Sequence, residues 1–383
     1  MDFSIPEDYL KYKQAVTDFA SKELNEKLIE RDHQGHFLKD NWLKCADFGL
    51  QALSVPAAYG GATAEVDLFR AMLAMEGFGY GCKDNGLALG LNAQMWTVQL
   101  PLADFGSEAL KQKYLPDLVS GKKMACHAIT EAEAGSDAYH MQTVAEKVEG
   151  GYRINGAKRL ITFAPVADLI FLFAYTNKKV GKWGISAFLI EKDNPGVSVG
   201  AVQHKMGMRT VPIGELAFKD CFVPEENRVG AEGAGFSIIN HSLEYDRSCI
   251  LASQLGTMQR QLEETIAFAK NRKQFGQPIS KFQSVSNRIV DMKLRLETAR
   301  LLLYKVAWLK QQGQSAVMEA AMLKLHLSEA FVGSSLDAIR NVGGSAYLTE
   351  NEVERNLRDA VGGLIYAGTS DIQRNIIAAM LGL

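Results

Sequence analysis

The sequence predicts an α+β fold in three successive parts: helical, then β-rich, then helical again. Three observations carry this. Residues 7 to 32 repeat apolar positions at helical spacing, with Leu10, Val16, Phe19, Ala20, Leu24 and Leu28 along one face. Between Ala125 and Val229 the texture changes to short apolar runs (DLIFLFAYT, ISAFLIE, VSVGAV, ELAFKDCFV) set apart by Lys, Gly, Pro and Asn. From Phe236 almost to the C-terminus the pattern is amphipathic and rich in helix formers.

In chain order, the glycine-broken LSVPAAYGGA at 53 to 62 reads as a loop, and Val66 to Leu118 is helical again until Pro116 and Gly121 close it. The predicted units are 1–124, 125–233 and 234–383. The second opens with CHAITEAEAGSD, a short apolar strand that breaks into a turn through Ala134, Gly135, Ser136 and Asp137. Such a break frees backbone N–H and C=O groups to meet a ligand, and Thr130 and Ser136 add hydroxyls. In GGYRINGAKRLIT, Gly150 and Gly151 signal a hairpin. Leu262 to Ala269 and Ile289 to Leu309 are long amphipathic stretches suited to a bundle.

With 383 residues, 47% of them hydrophobic, the chain can bury a large core. A net charge of -2 builds no field for nucleic acid or an anionic membrane. No apolar run approaches the ~20 residues of a membrane span, and MDFSIPEDYLKYK is too acidic for a secretory signal. Five cysteines without CxxC spacing point to reduced thiols in a cytoplasm, with neither a metal site nor disulfides. Neither GxGxxG nor GxxxxGK[ST] occurs, so a dinucleotide must be held in some other way.

The stretches PAAYGG, YLPDLVSG, ITEAEAGSD, YRINGAKRLIT, MGMRT, FVPEENRVG, NRKQFGQPISKFQ, IRNVGG, LRDA and YAGTSDIQR follow one another across nearly the whole chain. In that order and spacing the chain resembles the acyl-CoA dehydrogenase family. The resemblance implies FAD, an N-terminal α-helical domain, a central β-barrel and a C-terminal four-helix bundle. It places His127, Ile129, Thr130, Leu160 and Thr162 on the flavin ring, with His127 and Leu160 standing where many members carry an aromatic residue. It assigns Ser136 to the thioester end of the substrate, and Arg247, Tyr366 and Ala367 to its surroundings. Arg272, Phe275, Gln283, Arg340 and Gly344 match positions that reach the diphosphate and adenine of a neighbouring subunit's cofactor. Thr369 and Asp371 match the last flavin contacts, Asp371 where members often have Gln. A shared cofactor implies a homo-oligomer, most often a tetramer.

The family reaction takes an α-proton from an acyl thioester and needs a poorly solvated carboxylate whose pKa is raised toward neutrality. Many members place that Glu where this chain has Ala367. Isovaleryl-type members take it instead from the first helix of the C-terminal bundle, here HSLEYDRSCILA, which offers Glu244 and Asp246 beside Arg247. Gapless matching puts Asp246 at the base position, but side-chain length and type fit the chemistry better in Glu244, so Glu244 is the expected base and Asp246 the alternative. The two residues cannot share a helix face.

Within the family, QRQLEETIAFAKNRKQFGQPI, MKLRLETARLLLYKVAW and YAGTSDIQ look like flavoproteins that oxidise a prolyl group tethered to a carrier protein. That resemblance implies oxidation of an L-prolyl thioester on an acyl carrier protein to a pyrroline thioester, with oxygen as acceptor, in alkaloid biosynthesis. An isovaleryl-like acyl-CoA dehydrogenase and a catalytically silent flavin-binding scaffold are the alternatives.

Overall fold

The computed structural model describes residues 4–383. The first third holds α1 (Glu7–Glu23), α2 (Leu28–Gln34), α3 (Lys39–Asp47), α4 (Leu68–Gly81), α5 (Asn85–Gln94), α6 (Leu100–Phe105) and α7 (Glu108–Val119). Asp67, Asp84 and Ser107 cap α4, α5 and α7, each accepting from a backbone N–H three residues on. The single helix expected over residues 7 to 32 is two. The carbonyl of Leu24 accepts from the Asn41 and Arg31 side chains, and Lys27 turns the chain at φ 49°. Tertiary hydrogen bonds here override a continuous apolar period.

The middle third is one eight-stranded sheet: β1 (Ala125–Ala128), β2 (Val144–Val148), β3 (Gly151–Thr162), β4 (Leu169–Tyr175), β5 (Ile185–Glu191), β6 (Val197–Val199), β7 (Ile213–Pro224) and β8 (Arg228–Val229). The order is β6-β7-β3-β2-β4-β5-β8, with β1 pairing parallel to β4. Every residue of β4 is buried because helices cover one face and the sheet curls around the other. Leu169, Phe171 and Phe173 join Leu102, Leu115 and Ile238 on the helical side. Ile170, Leu172 and Ala174 join Ile154, Phe188 and Phe218 on the inner side.

The last third is α8 (Gly235–Cys249), α9 (Ala252–Asn271), a hairpin of β9 (Lys273–Gln274) and β10 (Gln277–Pro278), α10 (Gln283–Gln311), α11 (Val317–Val342), α12 (Val353–Gly363) and α13 (Ser370–Met380). α11 lies at the centre and packs against α8, α9, α10, α12 and α13. The N-terminal helices dock on this bundle where α4 crosses α9. A Cβ on Gly79 would stand 1.7 Å from the Ser253 carbonyl oxygen, so only glycine allows that approach.

The LRDA stretch locks the three parts together. Arg358 bonds Asp32 and the Met206 carbonyl. Asp359 accepts from the Met208 N–H at 2.5 Å and from Asn85 at 2.9 Å. No helix among the described residues is long and apolar enough to cross a membrane.

Candidate active site

Two surfaces gather most of the predicted residues. The first is a wall made where β1 ends beside β3. The Arg159 N–H donates to the Thr130 carbonyl at 2.8 Å, zipping the two segments together. Beneath them Lys158, with no exposed side chain, donates to the Ile129 carbonyl at 2.9 Å and to Glu131 at 2.8 Å. Glu131 also accepts from the Gln142 N–H and from both the N–H and hydroxyl of Thr143. Burial pushes Glu131 up, but Lys158 and the bonds from Gln142 and Thr143 outweigh it and hold the carboxyl below its ordinary value. Burial brings Lys158 down to about 8 against the pull of Glu131.

The β3–β7 register slips between Lys158 and Ile161. This bulge puts two consecutive side chains, Arg159 and Leu160, on the outside. Leu160 holds φ 57°, rare for a branched side chain, and is 57% exposed. An exposed leucine held in a strained turn is what a flat apolar ring would cover. Ile129 contributes differently: its side chain lies in the core and its carbonyl is taken by Lys158. His127 stacks on Phe171 and meets Phe173 edge-on at 5.2 Å. Burial and Lys158 bring its pKa down to about 3, so the ring is neutral, and its buried Nε2 has no partner among the described residues. Thr162 is half-buried at the end of β3, and Ser136 is exposed in its turn.

The second is a buried polar cluster where α8 meets α11, called the chamber for the unpaired groups that line it. Asp246 is 6% exposed, and its Oδ1 has no hydrogen-bond partner among the described residues. Burial pushes its carboxyl up to about 7, with Arg247 and Lys324 pulling the other way. Arg247 Nε and Lys324 Nζ are likewise buried without partners, and burial brings Lys324 down to about 8. Tyr366 accepts from Gln254 at 2.7 Å, and burial raises its phenol. Next to it, Ala367 holds φ 54°, its carbonyl bonded at 3.1 Å by Gln373. Tyr139, just past Ser136, lies close enough to Arg247 for their charges to couple. Unpaired polar groups at this depth each cost about 1–3 kcal/mol, more when charged, which marks the chamber as built for an occupant.

Glu244 belongs to neither surface. Its carboxylate accepts from Lys310 at 2.9 Å and from the Ala316 N–H at 3.1 Å, tying α8 to the connection between α10 and α11. α8 is regular through both residues, so about 200° of turn separates Glu244 from Asp246.

The remaining residues collect elsewhere. Arg272 follows α9, Phe275 stands 93% exposed in the β9–β10 turn, and Gln283 begins α10. Arg288 bonds Asn341 at 3.4 Å, so this end of α10 lies beside the end of α11 that carries Arg340, Gly343 and Gly344. Thr369 caps α13 through Ile372 N–H, and the exposed Asp371 pairs with Arg374. Sequence reasoning missed Lys324, Gln254 and the Lys158–Glu131 pair. A lysine inside the apolar helical run AAMLKLHL was the available signal for the first.

Three domain models match the chain: acyl-CoA dehydrogenase N-terminal domain over residues 6–122, middle domain over 126–221 and C-terminal domain over 233–382. The chain belongs to the acyl-CoA dehydrogenase family. Within that family it is 43% identical over 383 residues to the L-prolyl-[peptidyl-carrier protein] dehydrogenase of Serratia sp. (strain ATCC 39006), covering 100% of this chain and 99% of that one. It is 37% identical over 377 residues to the human mitochondrial short-chain specific acyl-CoA dehydrogenase, covering 98% of this chain and 90% of the other. Among solved structures, the prolyl acyl carrier protein oxidase AnaB superposes with a TM-score of 0.97 at 46% identity, covering 99% of this chain and 100% of AnaB. PigA with FAD and proline gives a TM-score of 0.97 at 43% identity over 100% of both chains.

Proposed function

We propose that the chain is an FAD-dependent oxidase of an L-prolyl thioester carried on an acyl carrier protein, whose α,β-desaturated ring then isomerises, by proton shifts alone, to a 1-pyrroline-5-carboxyl thioester. The observation that carries this is the buried, unpartnered carboxylate of Asp246, in a chain that matches prolyl carrier-protein dehydrogenases along its whole length. FAD, when bound, supplies a two-electron acceptor whose N5 takes the hydride. The exposed face of Leu160 and the orphaned Nε2 of His127 fit its ring and a polar edge. Thr130 and Thr162 add hydroxyls at the same wall. Thr369 keeps its O–H proton free to donate, since its oxygen serves the helix cap. Asp371 can only accept.

Asp246 takes the α-proton. Near neutrality it is poised between its two protonation states, as a base that must accept and then release a proton should be. The shorter side chain of Asp is offset by the absence of any competing hydrogen bond. Glu244 would have to break two bonds to do the same work. Arg247 and Lys324 keep Asp246 from rising further and favour the negative charge that develops as the proton leaves. Ser136 orients the thioester, and Tyr366 with Ala367 leaves room for the ring where other family members place a carboxylate.

Arg272, Phe275, Gln283, Arg340 and Gly344 lie at the exposed end of the bundle, which suits contact with a neighbouring subunit's cofactor. Val290, Leu294, Leu301 and Trp308 are each more than half exposed along α10. Their spacing of four, seven and seven makes one apolar stripe, which supports a homo-oligomer, a tetramer in the family pattern. Free, buried thiols at all five cysteines agree with a cytoplasmic setting. Turnover of prolyl-loaded carrier protein and of isovaleryl-CoA, with oxygen uptake and product mass, tests the reading. Loss of two hydrogens from the prolyl thioester is expected, and turnover of the CoA ester alone would overturn it.

A further inference from the structure

The carrier protein must seat where its prosthetic arm can reach Asp246, and one exposed turn has the properties of such a seat. Between β4 and β5 the chain runs Asn177, Lys178, Lys179, Val180, Gly181, Lys182, Trp183, Gly184. The turn is firmly closed: the Thr176 N–H donates to the Gly184 carbonyl at 2.8 Å, and the Asn177 side chain accepts from the Lys179 N–H at 3.1 Å. A Cβ on Gly184 would stand 1.7 Å from the Asn177 carbonyl oxygen, so the closure requires glycine.

Its three lysines are exposed, and none closes an ion pair with a described residue. Lys178 donates only to Gln142, and Lys182 lies over the Phe236 ring at 4.3 Å. Beside them Trp183 is 57% exposed and packs edge-on against Phe236 at 4.8 Å. The other basic cluster, Lys111, Lys113, Lys122 and Lys123, is partly neutralised, since Lys113 pairs with Glu191 and Lys122 with Asp117. Uncompensated cations around an exposed indole form a surface for an anionic partner with an apolar centre.

The turn is also linked to Asp246 along one helix. Phe236 lies in the first turn of α8, and Asp246 is ten residues further along it, about 15 Å at 1.5 Å per residue. Tyr139, which follows Ser136, packs on the same Phe236 at 5.0 Å and donates to Asn240. One helix therefore runs from this aromatic cluster to Asp246, with the turn that follows Ser136 along its side.

We propose that Lys178, Lys179, Lys182 and Trp183 form the docking surface for the carrier protein, the lysines meeting the phosphodiester of its arm and neighbouring carboxylates. This rests on the carrier-bound substrate of the preceding section. The test uses FAD-loaded enzyme and two substrates: prolyl-carrier protein, and L-prolyl pantetheine, which has the thioester but neither phosphate nor protein. In K178E/K179E/K182E, kcat/KM for the carrier-bound substrate falls by about tenfold or more at low salt, through KM. The gap to wild type narrows at high salt, and turnover of L-prolyl pantetheine is unchanged. An unchanged carrier reaction, or an equal loss on both substrates, would overturn the docking surface and leave the functional reading standing. Failure of the unaltered enzyme to oxidise either prolyl thioester would overturn that reading, and the docking surface with it.

Discussion

The wall under Leu160 and the chamber around Asp246 each bury a lysine and a carboxylate, yet they treat them in opposite ways. At the wall, Lys158 and Glu131 are joined to each other, Lys158 also donates to Ile129 and Met141, and Glu131 also accepts from Gln142 and Thr143. In the chamber, Asp246, Arg247 and Lys324 share a field without closing a hydrogen bond among them. A satisfied buried network fixes a shape. An unsatisfied one is waiting for a ligand, and the protein carries its cost in stability.

Substitutions that separate shape from chemistry sharpen this contrast. The largest effect belongs to the chamber: Asp246→Asn lowers turnover by ~10²-fold or more, measured with FAD occupancy held constant. The same substitution makes the folded protein more stable above neutrality. A folded carboxyl raised to about 7 binds a proton that the unfolded chain has lost from about pH 4 upward. Stability therefore falls as pH rises through that window, and Asn removes a loss of the order of a few kcal/mol. Thermal unfolding at pH 5 and pH 8 reads this directly.

Next comes the wall. Glu131→Gln leaves Lys158 buried without its counter-charge and costs about 3 kcal/mol of stability, seen in denaturant unfolding. FAD binding weakens with it, because the β1–β3 junction loosens. Lys324→Met has a subtler signature. Without the ammonium, Asp246 becomes harder to ionise, so the acidic limb of the rate profile moves to higher pH, while Lys324→Arg largely restores its position. The smallest effect is expected at Glu244→Gln, which loosens the tie to Lys310 and Ala316 and costs roughly 1 kcal/mol of stability with turnover retained within a few-fold.

Much of this was legible in the sequence. The α-β-α order follows from local pattern and motif order, and the same motifs suggested the proposed flavin wall and a proposed base on α8. Between the two carboxylates, side-chain length pointed to Glu244, and the proposal of Asp246 instead rests on Lys310 and Lys324, 66 and 78 positions away. Helix period showed that the two face apart but not which face looks inward. The outward turn of Leu160 depends on a register slip against β7, and the break after α1 depends on Asn41 reaching back to Leu24. Such features arise from tertiary hydrogen bonds that no local pattern announces.

The proposed reaction depends on which carboxylate takes the α-proton. The pH dependence of anaerobic flavin bleaching by prolyl-carrier protein tests this most directly, in wild type, Glu244→Gln and Asp246→Asn with FAD loading verified. In wild type and Glu244→Gln the rate should rise with pH through a midpoint near the Asp246 value of about 7. In Asp246→Asn bleaching should be slow and without that limb. A pH-dependent rate that survives Asp246→Asn and disappears in Glu244→Gln would contradict the assignment.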